Sequence, residues 1–125
     1  MRVRITKDDL LKTQLLEPGW YPCEITGYTE ETSKKGDSVN MIPTFIVIGS
    51  KGKGAVLRTW FNEQGTVYMK NFLESIGAKM GSDGDFDVDL SEKTLKGKRL
   101  QVYITRGEYQ GKGQNSATDY RPIGV

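Results

Sequence analysis

Gly97-Lys98-Arg99-Leu100-Gln101-Val102-Tyr103-Ile104-Thr105-Arg106 decides how the chain is read. Leu100, Val102 and Ile104 recur at every second position, the period of a half-buried strand, and Arg99, Gln101, Tyr103 and Thr105 take the other face. One face is therefore core, and the other carries positive charge, an amide and an aromatic ring. The stretch runs into Gly107-Glu108-Tyr109-Gln110-Gly111-Lys112-Gly113, whose glycines predict a flexible loop bearing Tyr109 and Lys112. An apolar row, a basic and aromatic row, and a mobile basic loop suit a small β-barrel that grips a polyanion.

Working outward from that strand, the same period recurs. Trp20 to Thr29 reads as a first strand with Tyr21, Cys23 and Ile25 on one row and Trp20, Glu24, Thr26 and Tyr28 on the other. Pro22 removes a ladder donor, which places the start of this strand at an edge or bulge. Val39 to Ile48 is a second strand whose two faces are both apolar. Met41, Phe45 and Val47 line one, and Ile42, Ile46 and Ile48 the other, so the outer row must meet a helix, a neighbouring chain or a ligand. Ala55 to Phe61 returns as the third strand, and Asn115 to Ile123 closes the sheet as the fifth.

Two helices complete the set. Over Gly65 to Ile76, Tyr68, Phe72 and Ile76 share a stripe, and Gly77 supplies a C-terminal stop. Near the N-terminus, Thr6 and Asp9 have capping-box spacing, predicting a short helix to about Leu16 that buries Leu11 with Leu15. The order strand, strand, strand, helix, strand, strand is that of an OB-fold, a five-stranded barrel with one helix between strands three and four. The expectation is one mainly β domain over residues 1–125, of which 1–17 form an N-terminal extension. In an OB-fold the loops joining strands one to two and four to five flank the ligand face; here they carry Lys34, Lys35, Tyr109 and Lys112.

Composition narrows the function classes. With 125 residues, 36% apolar content and 27% charged content, the chain is long enough for one real core. No run approaches the length of a membrane span and the N-terminus lacks the apolar centre of a signal peptide, so no membrane association and a cytoplasmic location are expected. The single cysteine, Cys23, lies on an apolar alternation and reads as a buried thiol. Net charge is only +2, but Asp83, Asp85, Asp87, Asp89 and Glu92 are concentrated in ten residues without a base. That segregation allows a basic face on a nearly neutral protein.

No catalytic constellation is legible. There is no histidine, Cys23 has no base partner, and neither a nucleophile elbow nor a phosphate loop is present, so an enzyme is not expected. The aspartate run fails as a calcium loop, because the required glycine and acid fall on Val88 and Thr94. It reads as an acidic edge segment that discourages strand addition. No cofactor or metal is implied.

The chain resembles a family of short bacteriophage proteins long catalogued as a domain of unknown function. The resemblance is carried by Pro18-Gly19-x-Tyr21 leading into Cys23-x-Ile25, by Lys34-Lys35-Gly36 before an apolar strand, and by Phe72-Leu73-x-x-Ile76-Gly77. Leu95-x-Gly97-Lys98 and Asn115 ahead of Tyr120-Arg121-Pro122 complete it. It implies an OB-fold protein that binds single-stranded DNA in phage replication or recombination, in the host cytoplasm, alongside other replication or recombination proteins. Many replication single-strand binders end in an acidic tail that recruits partners; this chain ends Tyr120-Arg121-Pro122-Ile123-Gly124-Val125, leaving its internal acidic segment as the stretch to take that role.

The expected interface joins Tyr28, Arg58, Trp60, Arg99, Tyr103, Arg106 and Tyr109 with Lys34, Lys35 and Lys112. Aromatic rings would stack on bases while cations meet phosphates, without reading sequence. The outer apolar row predicts a homo-oligomer, most simply a dimer, with Ile42, Ile46 and Ile48 near its interface. Two other readings stay open: a protein-interaction or oligomerisation module that binds no nucleic acid, and a small-ligand or oligosaccharide OB-fold.

Overall fold

The computed structural model describes residues 1–124, Tyr109 by its backbone alone. Its centre is a long strand, β1 (Gly19–Thr32), hydrogen-bonded on one side to β2 (Val39–Val47) and on the other to β5 (Arg99–Tyr109), antiparallel to both. Beyond β2 lie two short strands, β3 (Val56–Arg58) and β4 (Phe61–Asn62), and beyond β5 lies β6 (Lys112–Arg121). The result is a six-stranded antiparallel sheet in the order β3-β2-β1-β5-β6, with β4 also on β2. The expected mainly β domain is present, and it differs from a five-stranded barrel in two details. The third strand is split at Thr59 and Trp60, and the edges β3 and β6 are not hydrogen-bonded, although their Cα atoms come within 8 Å.

The inward row follows the alternation. Tyr21, Cys23 and Ile25 of β1, Phe45 and Val47 of β2, and Leu100, Val102 and Ile104 of β5 are all buried. Burial pushes the Cys23 thiol up to about 12. Pro22 sits in this central strand because its missing donor faces the side where β2 has ended: its carbonyl accepts from the Ile48 amide at 2.9 Å. A Cβ on Gly49 would stand 2.7 Å from Cγ of Pro22, so a side chain there would have to displace the proline ring.

Helical structure is shorter than the stripes predict. α1 (Lys7–Lys12) has the reciprocal Thr6–Asp9 capping box but ends four residues early, and Leu11 and Leu15 stay partly exposed against Gly54 and Gly113. The predicted helix from Gly65 becomes a 3₁₀ helix (Glu63–Met69) followed by α2 (Lys70–Ser75), because Gly65 takes non-helical dihedrals. Phe72 of α2 anchors the open end of the sheet, its ring 5.1 Å from that of Phe61, 5.4 Å from Tyr120 and 6.1 Å from Phe45. A further short helix, α3 (Glu92–Leu95), follows the aspartate run, which contains no strand.

The glycine-rich loop after Arg106 is also different from expectation. β5 and β6 continue to Tyr109 and Lys112, joined by Gln110 and Gly111 at φ 52° and 77°. Two left-handed central residues form the turn whose twist matches a hairpin, so the segment is a tight hairpin and not a loose loop. On the outer face of β2, Ile42 is only 1% exposed within the single chain, while Ile46 and, just past the strand, Ile48 are half-buried. No described helix is long and apolar enough to cross a membrane.

Candidate nucleic-acid interface

Along β3 and β4 the side chains alternate through the break. Leu57 and Phe61 are buried inward, while Arg58 and Trp60 point outward, with Trp60 58% exposed. The Thr59 amide reaches back to the Pro43 carbonyl at 3.4 Å and holds the connecting residues against β2. Because β3 is an edge, no neighbouring strand supplies side chains to cover that outward row. Across the gap stands β6, and between the two edges runs a groove of about 600 Å³ walled by Lys12, Leu15, Arg58, Trp60 and Asn115. A second hollow of about 470 Å³ continues it past Trp60 to Asn62, Tyr68, Thr118 and Tyr120. Trp60 belongs to both, standing as a ridge with a hollow on either side.

The second hollow has an aromatic floor. Tyr120 is buried against Phe61 and Phe72, and burial together with the Asp119 charge pushes its phenol up to about 12. Tyr68 is the residue that the helical stripe misassigned: it is 81% exposed and lines the groove rather than the core. The signal was Gly65, whose non-helical conformation turns the following residues out of the expected phase.

Both flanking loops lie near this groove. Lys34 and Lys35 are exposed in the β1–β2 turn, and that turn is tied to the far end of the groove. The Asn62 amide donates at 2.8 Å to both Ser38 and Asn40, and Glu63 accepts from the Val39 amide at 2.8 Å. Lys112 is exposed at the start of β6, beside the Gly113 that lines the near end. Among the described residues, none of Lys34, Lys35, Arg58 and Lys112 has an ion-pair partner. Cations without partners at both ends and an exposed indole between them can hold a phosphate chain and stack its bases.

The other predicted residues are not brought to the groove. A β-bulge between Ile25 and Gly27 shifts the phase of β1, so Tyr28 turns inward and is 7% exposed. Its hydroxyl donates to Glu30 at 2.6 Å, and burial with that carboxylate holds the phenol well above its usual range. Arg99 pairs with Glu24 at 3.1 Å on the outer face of the sheet centre. Tyr103 lies edge-on to Trp20 there, with ring centroids 5.3 Å apart and Arg121 stacked 4.1 Å from the Trp20 ring. Arg106 donates to the Leu16 carbonyl at 3.0 Å and pairs with Glu17 at 3.1 Å, fastening the N-terminal segment instead of facing the groove. Tyr109 ends β5, and its side chain lies outside the described residues. A scan against family models finds no match to the chain, and a search of curated proteins finds none similar to it.

Proposed function

We propose that the protein binds single-stranded DNA, independently of sequence, along the groove between β3 and β6, and that the sheet is an OB-type barrel whose seam is that groove. The strand order β3-β2-β1-β5-β6, with the helices between the third strand segment and β5, supports the fold reading. The observation that carries the function is Trp60: a large ring, half exposed, lining two hollows and close along the strand to Arg58. A side chain of that size left open at a sheet edge suits stacking on nucleobases, which every base permits. Work in phage replication or recombination follows from the family resemblance and belongs to the same proposal.

The test is a titration of fluorescent oligo-dT at two salt concentrations, with the same sequence as duplex for comparison. Single strands should bind with a marked salt dependence, and duplex far more weakly because its bases are already stacked. Equal binding of both forms overturns the stacking mechanism. A second reading, an interaction or dimerisation module, is favoured by Ile46, Ile48 and Val56, which stay half-buried on the outer face of β2 and β3. Concentration-dependent mass with no affinity for oligo-dT would select it.

A further inference from the structure

Two segments without regular secondary structure, far apart in sequence, share a two-residue alternation with opposite charge. Arg2-Val3-Arg4-Ile5 alternates bases with β-branched residues, and Asp85-Phe86-Asp87-Val88-Asp89-Leu90 alternates acids with apolar ones. Neither belongs to the sheet. No amide from Arg2 to Ile5, and none from Phe86 to Leu90, donates to a protein group among the described residues, although the Asp85 and Asp89 carbonyls accept from the Gly81 amide and the Thr94 hydroxyl. Val3 and Ile5 are 74% and 67% exposed.

In the acidic segment the two rows are sorted except at Val88, which is 36% exposed. Asp85, Asp87 and Asp89 are exposed, whereas Phe86 and Leu90 are half-buried and Leu90 packs on the core. The acids alone would be an ordinary solvated edge. What singles them out is the matching segment elsewhere in the chain, in the same phase, with arginines where the acids need partners.

We propose that Arg2–Ile5 of one copy adds as a strand to Asp85–Leu90 of a second copy. Residues opposite one another on paired strands share a face, so Arg2 and Arg4 meet the aspartate row while Val3 and Ile5 extend the row of Phe86 and Val88. The chain's own acidic segment is a poor target. The arm is rooted at the start of β1, where Asn115 accepts from the Leu16 amide at 2.9 Å and donates to the Gln14 carbonyl at 2.8 Å. The acidic segment lies towards the other end of β1: Asp89 acts on Tyr28, and the Gly97 amide donates to Ile25 at 2.8 Å. Among the described residues no hydrogen bond or ion pair joins the two segments of one chain. The contact is therefore made between copies, either by reciprocal exchange of arms in a dimer or by passing each arm to the next copy, and the mass rises in both cases.

The test needs no DNA, so its outcome is separate from that of the DNA reading. Sedimentation at up to about 1 mM protein reaches millimolar self-affinities. In about 0.01 M salt the mass should rise above the 14.0 kDa monomer with concentration, and at about 1 M salt it should return to monomer. Arg2→Glu with Arg4→Glu should be monomeric alone, as should Asp85→Lys with Asp87→Lys. An equimolar mixture of these two variants restores opposite charges at every contact and should associate as wild type does. A wild type monomeric throughout, association surviving 1 M salt, reversed variants that still self-associate, or a mixture that stays monomeric each overturns the proposal.

Discussion

The outer face of the sheet centre and the groove at its edge use the same residue types to opposite ends. At the centre, Trp20 and Tyr103 pair in register on β1 and β5, ring edge on ring face, and Arg121 of β6, opposite Gln101, reaches over the indole. At the edge, Trp60, Tyr68 and Arg58 have no next strand to supply such partners, and Trp60 and Tyr68 remain exposed. A ladder completes its own side-chain pairs, so a tryptophan in the middle of a sheet stabilises the fold, and one at an unpaired edge stays open to solvent.

The strongest way to break that contrast is to remove what holds the edge in place. Phe72→Ala deletes the ring between Phe61, Phe45 and Tyr120 and should cost about 3–5 kcal/mol of unfolding free energy in a urea titration. A loss under about 1 kcal/mol would mean that the groove floor is not built on this ring.

The contrast itself is sharpened by paired tryptophan variants. Trp60→Ala should weaken oligo-dT binding by about 1–3 kcal/mol, the worth of one stacked base, with stability little changed. Trp20→Ala should do the reverse, lowering stability by about 1 kcal/mol through its lost aromatic and cation contacts while affinity holds. If both variants lose affinity equally, the centre of the sheet belongs to the interface.

A smaller effect probes the sealed interior. The folded Cys23 thiol resists ionisation up to about 12 against an ordinary 9.0, so as pH rises the unfolded chain loses its proton first. Stability is thus whole below pH 9 and falls above it, by about 1.4 kcal/mol at pH 10 from this group. Cys23→Ala should remove that share of the alkaline slope in urea midpoints measured from pH 8 to 10; an unchanged slope would show that the thiol is not shielded.

The smallest effect is in the salt dependence. If Lys34 and Lys35 both meet phosphates, replacing both by Ala should reduce the slope of log affinity against log salt by about 1.4. Trp60→Ala should leave the slope where it is, since losing a stacked ring releases no counterions. A slope unmoved by the lysine pair would place the β1–β2 turn away from the DNA.

Much of this was legible in the residues. The two-residue periods of Tyr21 to Ile25 and Leu100 to Ile104 established two neighbouring core strands, since alternation is a local property of the backbone. The Thr6–Asp9 box located the start of α1, and the outward phase of Arg58 and Trp60 against Leu57 and Phe61 was readable directly. What depended on tertiary structure was anything set by a phase shift or a distant partner. One extra residue at the bulge after Ile25 turned Tyr28 into the core, and a non-helical Gly65 put Tyr68 on the surface. Arg99 and Arg106 read as free cations until the fold set Glu24 and Glu17 beside them, from residues 75 and 89 positions away. Sequence periodicity says which way a side chain faces its own strand; only the assembled sheet decides whether another strand covers it.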